Sequence, residues 1–202
     1  KSDVSAKMFP PIARTKVAQK TDQIVTVVGN GYKATVEYWY KDINGDWKRS
    51  FRTNGYVGRN GVGKVHEGSR RTPKGAFKLG YAFGTHNPGT KMRFRKITPN
   101  SYWISNVNDP QYNTWQERRS SSSKDEHLIK YPRQYKYGIV INYNTNNPVR
   151  GAGSAFFLHV ESGGATAGCV SIRESRMVQL MRTLHDNAHI IIVNNQNEIL
   201  NY

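Results

Sequence analysis

The sequence lacks several features, and each absence excludes a class of protein. Cys169 is its only cysteine, so the chain cannot form an internal disulfide. No stretch of about 18 apolar residues exists, so no segment is predicted to span a bilayer. No repeat with a period of roughly 20 to 50 residues is present, which excludes solenoids and propellers. With 202 residues, 37% of them hydrophobic, the chain is instead long and apolar enough for one globular core.

Motifs for metals and nucleotides are also missing. The five histidines other than His159 show no metal-ligand spacing such as HExxH, and no second cysteine exists to complete a zinc site. No GxxxxGK[ST] or GxGxxG sequence follows a predicted strand. We therefore expect no metal and no other cofactor.

Acidic residues are scarce, with 14 Asp and Glu against 30 Lys and Arg, for a net charge of +16. Residues 64–136 hold 15 of the basic residues and five of the acidic ones. This surplus indicates an anionic partner or setting, or else a solvated basic face. Nucleic acid is not expected among the partners, because no DNA- or RNA-binding motif accompanies the charge.

The order of apolar runs predicts a mainly β protein. Short β-branched and aromatic runs begin at residue 23 and are joined by Asn-Gly turns, and three further runs, YGIVINYN, AFFLHV and AHIIIVNN, follow residue 136. We expect a loose segment at residues 1–22 and a single domain at residues 23–202. The first residue is Lys1 rather than Met, so we also expect a mature product whose targeting signal has been removed.

One amphipathic helix is predicted after the cysteine. Four apolar residues recur there at helical spacing: Met177, Leu180, Met181 and Leu184. The helix begins either at a capping box formed by Ser171 and Glu174 or nearer Glu174 itself.

The chemistry of the sequence concentrates at Cys169 and His159. Taken singly, each is a common core residue, since a lone cysteine is usually buried and inert. However, His159 lies in the apolar run AFFLHV, where an imidazole is costly unless it has polar partners. A neighbouring imidazole is also the common means of raising the small thiolate fraction of a cysteine at neutral pH. The residues alone leave both interpretations open.

The turn that ends in Gly168 and Cys169 suits a nucleophile. Gly168 leaves room for a substrate, and the backbone N–H groups of both residues are candidates to stabilise an oxyanion. The helix that follows is expected to favour a thiolate through its N-terminus. The two glycines in ESGGAT, between His159 and Cys169, allow a turn that brings the pair together.

Three segments in order, TPKGAF, FFLHV and TAGCVSI, resemble the L,D-transpeptidase catalytic domain (YkuD-type) of bacterial cell-wall enzymes. The resemblance covers residues 23–194 and implies a mixed β-sandwich. It implies that Cys169 is the nucleophile, that His159 is the general base, and that the backbone of Gly168 and Cys169 holds the oxyanion. Thr166 matches the Ser/Thr of the cysteine motif, where it would order the turn beside the substrate.

This chain departs from the family pattern beside the cysteine. Many members carry a second histidine where this chain has Ala167, and an Asn or Arg where it has Ser171. The interval of ten residues between His159 and Cys169 is also shorter than usual. Since these positions lie beside the substrate, Thr166 and Ser171 are candidate substrate contacts, with Arg173 as a replacement for the missing cation.

The resemblance also implies the substrate. A cysteine acyl transferase of this kind forms a thioester at an L,D-amide bond of a peptidoglycan stem peptide and passes the acyl group to an amine. Water as the acceptor would instead make an L,D-carboxypeptidase or endopeptidase. The alternative from another class is a non-catalytic basic module that binds the cell wall. We expect an extracellular or wall location, anionic wall polymers as further partners, and a monomer.

Residues 99–136 form a long polar excursion, and a loop of this length in a compact domain is usually functional. The serine run at residues 120–123 is expected to be its most flexible point. We expect the excursion to flank or cover the active-site cleft, with Tyr102, Trp103 and Trp115 as possible substrate contacts.

Overall fold

The computed structural model describes residues 10–202, which form a mainly β fold, as predicted. The strands in this range are β1 (Gln23–Asn30), β2 (Lys33–Lys41), β3 (Trp47–Tyr56), β4 (Val62–Gly63), β5 (Thr72–Pro73), β6 (Gly75–Gly84), β7 (Phe94–Lys96), β8 (Ser101–Trp103), β9 (Trp115–Glu117), β10 (Glu126–His127), β11 (Gly138–Ile141), β12 (Phe157–Val160), β13 (Val170–Ile172) and β14 (His189–Val193). The α-helix is α1 (Glu174–Thr183). Short 3₁₀ helices cover Pro11–Arg14, Val17–Gln19, Leu128–Lys130, Gln134–Lys136 and Gln196–Asn201.

The main sheet closes on itself. Its strand order is β11-β12-β13-β3-β2-β1-β14-β6-β7, and β11 also pairs with β6. The long strand β6 makes this closure possible, because its first half pairs with β14 and its second half with β11. Most neighbours are antiparallel, but β1 with β14, β12 with β13 and β6 with β7 are parallel. The result is a mixed, barrel-like sheet.

The interior of this sheet is the main core. Alternate residues of each strand point inward, so Val25 and Val27 of β1 lie in the interior cluster while Ile24 faces outward. In β14, Ile190 and Ile192 point inward and Ile191 and Val193 outward. The continuous apolar run of β14 is explained by burial on both of its faces.

The segment before β1 is ordered from residue 10 onward, which corrects part of the expected loose segment at 1–22. Ile12, Val17 and Ala18 are buried against the outer face of β1 and β14. Thr15 stabilises the two 3₁₀ turns by donating to the Ile12 carbonyl at 2.8 Å and accepting from the Ala18 N–H at 3.1 Å. Residues 1–9 lie outside the described range. Within residues 10–202 no helix has the length and apolar character needed to cross a bilayer.

Helix α1 covers one end of the interior. Its residues Met177, Leu180 and Met181 are fully buried in the main core, as is Leu184 just beyond its last turn. The helix starts at Glu174, the later of the two expected starts. Arg173 is the N-cap, and its guanidinium has no acceptor with which to cap the helix. Ser171 lies in β13 instead of in a capping box.

The excursion at residues 99–136 folds against the outside of the main sheet. Strands β8, β9 and β10 form a small antiparallel sheet, and its aromatic residues pack on β6, β11 and β12 in a second apolar cluster. Trp103 lies edge-on to Phe157 with ring centroids 4.9 Å apart. The excursion is therefore a second layer with a core of its own, facing the outer side of the barrel-like sheet.

The serine run is also more ordered than expected. Ser121 donates to Asp125 at 2.5 Å and accepts from Arg118 at 3.2 Å. Asp125 in turn accepts from the backbone N–H groups of Ser105 and Asn106. These bonds tie the serine turn to residues 105–106, which follow β8.

The position of Trp103 leads to a stability prediction. Trp103 is only 3% exposed, so Trp103→Ala is expected to lower the free energy of unfolding by about 3–5 kcal/mol, as for other large-to-small core changes. Ile43→Ala, at a fully exposed residue, is the control and should change it by less than about 0.5 kcal/mol. Chemical denaturation measures both, and a Trp103→Ala protein as stable as the control would contradict this packing.

Candidate active site

Two adjacent parallel strands place the predicted nucleophile and base on one face. In the pairing of β12 with β13, Leu158 is opposite Val170 and His159 is opposite Ser171. Because strand side chains alternate, His159 and Cys169 point to the same side, outward from the main core. Both line a cleft of about 510 Å³ between this face and the excursion. The structure thus brings together the two residues that the sequence singled out.

Cys169 rests as a protonated thiol. Its Sγ donates to the Ala155 carbonyl at 3.3 Å and accepts from the Phe157 N–H at 3.4 Å, so its hydrogen bonds do not go to His159. Burial raises the pKa of the thiol far above its ordinary value, and the nearby Glu126 carboxylate raises it further. The expected thiolate at neutral pH is therefore wrong for the resting site.

His159 is held as a neutral base. Its Nδ1 lies 2.7 Å from the Val160 carbonyl, which can only accept, so the proton is on Nδ1 and the lone pair is on Nε2. Burial lowers the pKa of the imidazole to about 4. The ring stands edge-on to Tyr135, with centroids 5.5 Å apart. His159 can accept a proton at Nε2 but carries little positive charge at neutral pH.

The cysteine turn is ordered by two threonine hydroxyls. Thr166 Oγ1 donates to the Cys169 carbonyl at 2.6 Å and accepts from the Gly168 N–H at 3.0 Å. Thr72, from the TPKGAF segment, donates to the Gly168 carbonyl at 2.7 Å and accepts from the Gly58 N–H at 2.8 Å. This buried bond explains how a segment almost a hundred residues upstream acts at the cysteine.

Gly168 is required at its position. Its φ is +154°, and a Cβ there would lie 2.8 Å from the Phe156 ring and 3.0 Å from the Arg71 carbonyl. The Gly168 N–H is committed to Thr166, so it is not free for an oxyanion in the resting site. Of the two N–H groups expected to hold an oxyanion, only the Cys169 N–H is not bonded to Thr166.

The strand β13 separates Cys169 from helix α1, so the expected support of a thiolate by the helix N-terminus is not available.

Arg173 is exposed at the N-cap and does not line the cleft, so it does not replace the missing cation. Ser171 also lies outside the cleft lining, and its buried hydroxyl has no hydrogen-bond partner among the described residues. Thr166 and Ala167 do line the cleft.

The aromatic residues predicted to contact substrate serve the packing of the excursion instead. Trp103 and Trp115 are buried in the second apolar cluster, and Tyr102 stacks on His127 with centroids 4.3 Å apart. None of the three lines the cleft. Sequence alone could not distinguish them from surface aromatics, because their burial depends on contacts with β6 and β12.

Asn113 is a site-supporting residue that sequence reasoning missed. Its Oδ1 accepts from the Trp103 indole at 2.8 Å and from the Ala155 N–H at 3.0 Å, and its Nδ2 donates to the Tyr143 and Asn144 carbonyls. Ala155 has a φ of +59°, an unfavourable value for a residue with a Cβ. Asn113 thus helps to fix the carbonyl that holds the Cys169 thiol.

Two carboxylates in the cleft were also missed, since neither stands in a motif. Glu126 of β10 accepts from the Tyr135 hydroxyl at 2.5 Å, and burial raises the pKa of its carboxyl to about 7 although part of the residue faces the cleft. Glu67 accepts from Tyr112 at 2.5 Å and from Ser154 at 2.6 Å. Arg70, Arg71 and Lys124 supply positive charge to the same cleft.

A comparison with known families decides the identity of this fold. The family model of the L,D-transpeptidase catalytic domain (YkuD) matches residues 15–192, most of the chain. The chain belongs to the L,D-transpeptidase catalytic-domain family. This places it among cell-wall enzymes of the L,D-transpeptidase type.

The chain also matches solved structures at low sequence identity. The helical cell shape determining protein Pgp2 from Campylobacter jejuni is 11% identical with a TM-score of 0.45, over 91% of this chain and 56% of Pgp2. A point mutant of Pgp2 is 13% identical with a TM-score of 0.44, over 86% of this chain and 47% of that one. The chain therefore spans about half the length of Pgp2. No curated protein sequence matches it.

Within residues 10–202, no group of three or more His, Cys, Asp or Glu side chains is arranged to hold a metal ion. The ionisable groups that line the cleft include the Cys169 thiol, the imidazoles of His66 and His159, two carboxylates and three cations.

The Thr72 hydroxyl gives a testable link between fold and site. Thr72→Val removes both of its hydrogen bonds and leaves the buried Gly168 carbonyl without that donor, so we expect unfolding free energy to fall by about 1–3 kcal/mol. Thr72→Ser keeps the hydroxyl and should retain most of the stability. Chemical denaturation of both variants measures the difference. Equal stability of Thr72→Val and wild type would show that the bond is dispensable.

Proposed function

We propose that the protein is a cysteine acyl transferase that acts on peptidoglycan stem peptides. Cys169 attacks the carbonyl of an L,D-amide bond, and an amine of another stem then takes the acyl group from the thioester. The observation that carries this proposal is the placement of Cys169 and His159 on one face of β12 and β13, at the same cleft. Membership of the L,D-transpeptidase family supports the substrate class.

The first half of the reaction uses His159 as a base for a neutral thiol. In the resting site the thiol is bonded to the Ala155 carbonyl, and Nε2 of His159 holds a free lone pair. As substrate enters, the thiol turns toward His159, which takes its proton while Sγ bonds to the carbonyl carbon. The Cys169 N–H donates to the developing oxyanion. His159 then protonates the leaving amine of the terminal D-residue as the C–N bond breaks.

The second half of the reaction determines the class of enzyme. An amine that attacks the thioester gives a cross-link, and the C–S bond breaks to restore the thiol. Water in its place gives an L,D-carboxypeptidase or endopeptidase with the same two residues. We favour the amine because the cleft carries two carboxylates, Glu67 and Glu126, which suit a cationic acceptor.

The site of action that we propose is the cell wall, outside the cytoplasmic membrane. Peptidoglycan is located there, and a chain with a net charge of +16 is attracted to the anionic polymers that accompany it. Binding to the wall through this charge is part of the proposal and accompanies the acyl transfer.

The roles of both residues can be tested directly with purified protein. Incubation with tetrapeptide muropeptides should release the terminal D-residue and give a thioester adduct that mass spectrometry detects. Cys169→Ala is expected to abolish both, and His159→Gln to slow the release on the order of 10²–10⁴-fold, the usual contribution of a general base. Release that persists undiminished in Cys169→Ala would refute the proposal. Binding to wall fragments without release by the wild type would favour the non-catalytic module.

The pH dependence follows from the buried imidazole. His159 must be neutral to accept the thiol proton, and its pKa is lowered to about 4, so activity is lost as pH falls through about 4 instead of near the usual value for histidine. The raised pKa of Cys169 also predicts slow alkylation by iodoacetamide at pH 7 without substrate. Release rates and alkylation rates measured from pH 3.5 upward, with values chosen at roughly half-unit steps, test both. An acid limb of the acylation step, measured as single-turnover release, centred near 6.5 would contradict this assignment of His159.

A further inference from the structure

The carboxylate of Glu126 lies in the same cleft as Cys169 and His159 and is held there by a hydrogen bond from Tyr135. It projects from β10 in the excursion, and its Oε1 accepts a hydrogen bond of 2.5 Å from the Tyr135 hydroxyl. The Tyr135 ring packs edge-on against both Phe157 and His159, with centroids 5.6 Å and 5.5 Å apart. Through Tyr135, the position of Glu126 is fixed relative to the strand that carries the catalytic base.

Part of this carboxylate remains available to a ligand. Tyr135 bonds to Oε1, while Oε2 receives no hydrogen bond from residues 10–202 and is not among the buried atoms in that range that lack a partner. Seven acidic side chains in the described range form ion pairs, but Glu126 is not one of them, although basic residues outnumber acidic ones about two to one. Oε2 is therefore an unpaired acceptor at the cleft.

The second half of the reaction needs a group that binds the incoming ammonium and accepts a proton from it. An alkylamine has a pKa near 10, so it reaches the cleft as an ammonium and must lose a proton before it can attack. His159 carries the second amine proton to the departing sulfur, so the ammonium proton needs a separate acceptor. The pKa of the Glu126 carboxyl, raised to about 7 by burial, lies closer to that of the amine.

We propose that Glu126 is a further catalytic residue, which binds the ammonium of the acyl acceptor and takes its first proton. This inference rests on the proposed function. The freed amine attacks the thioester, so the C–N bond forms and the C–S bond breaks. The second amine proton passes through His159 to the departing Cys169 sulfur. Glu126 releases its proton to solvent, and the site returns to its resting state.

The charge of Glu126 also affects the first half of the reaction, which it slows, whereas it promotes the second half. Its carboxylate raises the pKa of the Cys169 thiol, so a neutral side chain at this position should make the thiol more reactive. Glu126→Gln keeps an oxygen that accepts from Tyr135 while it removes both the charge and the basicity. The variant should therefore alkylate and acylate at least as fast as wild type but transfer the acyl group poorly. Damage to the fold would slow both halves.

The experiment follows the partition of the acyl-enzyme. The purified 202-residue chain is given a tetrapeptide muropeptide whose diamino acid carries a free side-chain amine, and mass spectrometry compares cross-linked dimer with hydrolysed tripeptide. In Glu126→Gln the ratio of dimer to tripeptide is expected to fall on the order of 100-fold, while release of the D-residue in a single turnover, with enzyme in excess of muropeptide, is not reduced. The rate of iodoacetamide alkylation should rise.

The matched control is Glu117→Gln. Glu117 belongs to β9 of the same excursion, but its carboxylate accepts from Thr98 at 2.6 Å and from Trp115 at 2.7 Å and does not line the cleft. This change removes an equal charge from the same layer, so the ratio of dimer to tripeptide should stay at the wild-type value.

Each other outcome counts against Glu126. An unchanged ratio in Glu126→Gln, or loss of single-turnover release of the D-residue together with transfer, overturns its role. A wild-type protein that acylates but gives tripeptide alone also overturns it, while the roles of Cys169 and His159 stand. Failure of the proposed function is a distinct result, because then neither wild type nor variant releases the D-residue.

Discussion

The parallel pairing of β12 with β13 is the constraint on which the site depends. Parallel neighbours need a connection that returns the chain to its starting edge, usually through a dozen or more residues and a helix. Here residues 161–169 alone make the return. That is long enough only because β12 has four residues, which span about 13 Å, whereas nine extended residues reach about 30 Å.

This short return loop forms part of the cleft. Ser162 and residues 165–169 line it, and Thr166 anchors the loop to the segment after β3 through its bridge with Gly58. The hydroxyls of Thr72 and Thr166 fix the cysteine end of the loop, while Gly163 and Gly164 face open space.

Much of the framework was predictable because it depends on local alternation. The hairpins of β1, β2 and β3 follow from their short β-branched and aromatic runs and their Asn-Gly turns. The proximity of Cys169 and His159 was expected from the ESGGAT turn and the family resemblance, but the parallel pairing that places them on one face was not predicted. The protonation state was not predictable. It depends on the burial of the site under the excursion, and the positions of Glu126, Tyr135 and Asn113 result from contacts between segments far apart in sequence.

The same long-range packing reversed the expected roles of two aromatic residues. Tyr102 and Trp103 stand among basic residues in the sequence, which suggested a surface for ligands. In the fold they are buried, and the basic residues nearest the cleft are Arg70, Arg71 and Lys124. Charge composition identified the surplus correctly but not its distribution, because the cleft sets two carboxylates, Glu67 and Glu126, among these three cations.

The bond between the Cys169 thiol and the Ala155 carbonyl has a consequence for the durability of the protein. Peroxides and other oxidants react with thiolates, and a buried thiol that donates its proton to a carbonyl presents almost none. A chain with one cysteine has no second thiol to form a disulfide and so rescue a sulfenic acid within the molecule. The Ala155 carbonyl therefore helps to hold the sulfur as the less reactive neutral thiol in the resting site.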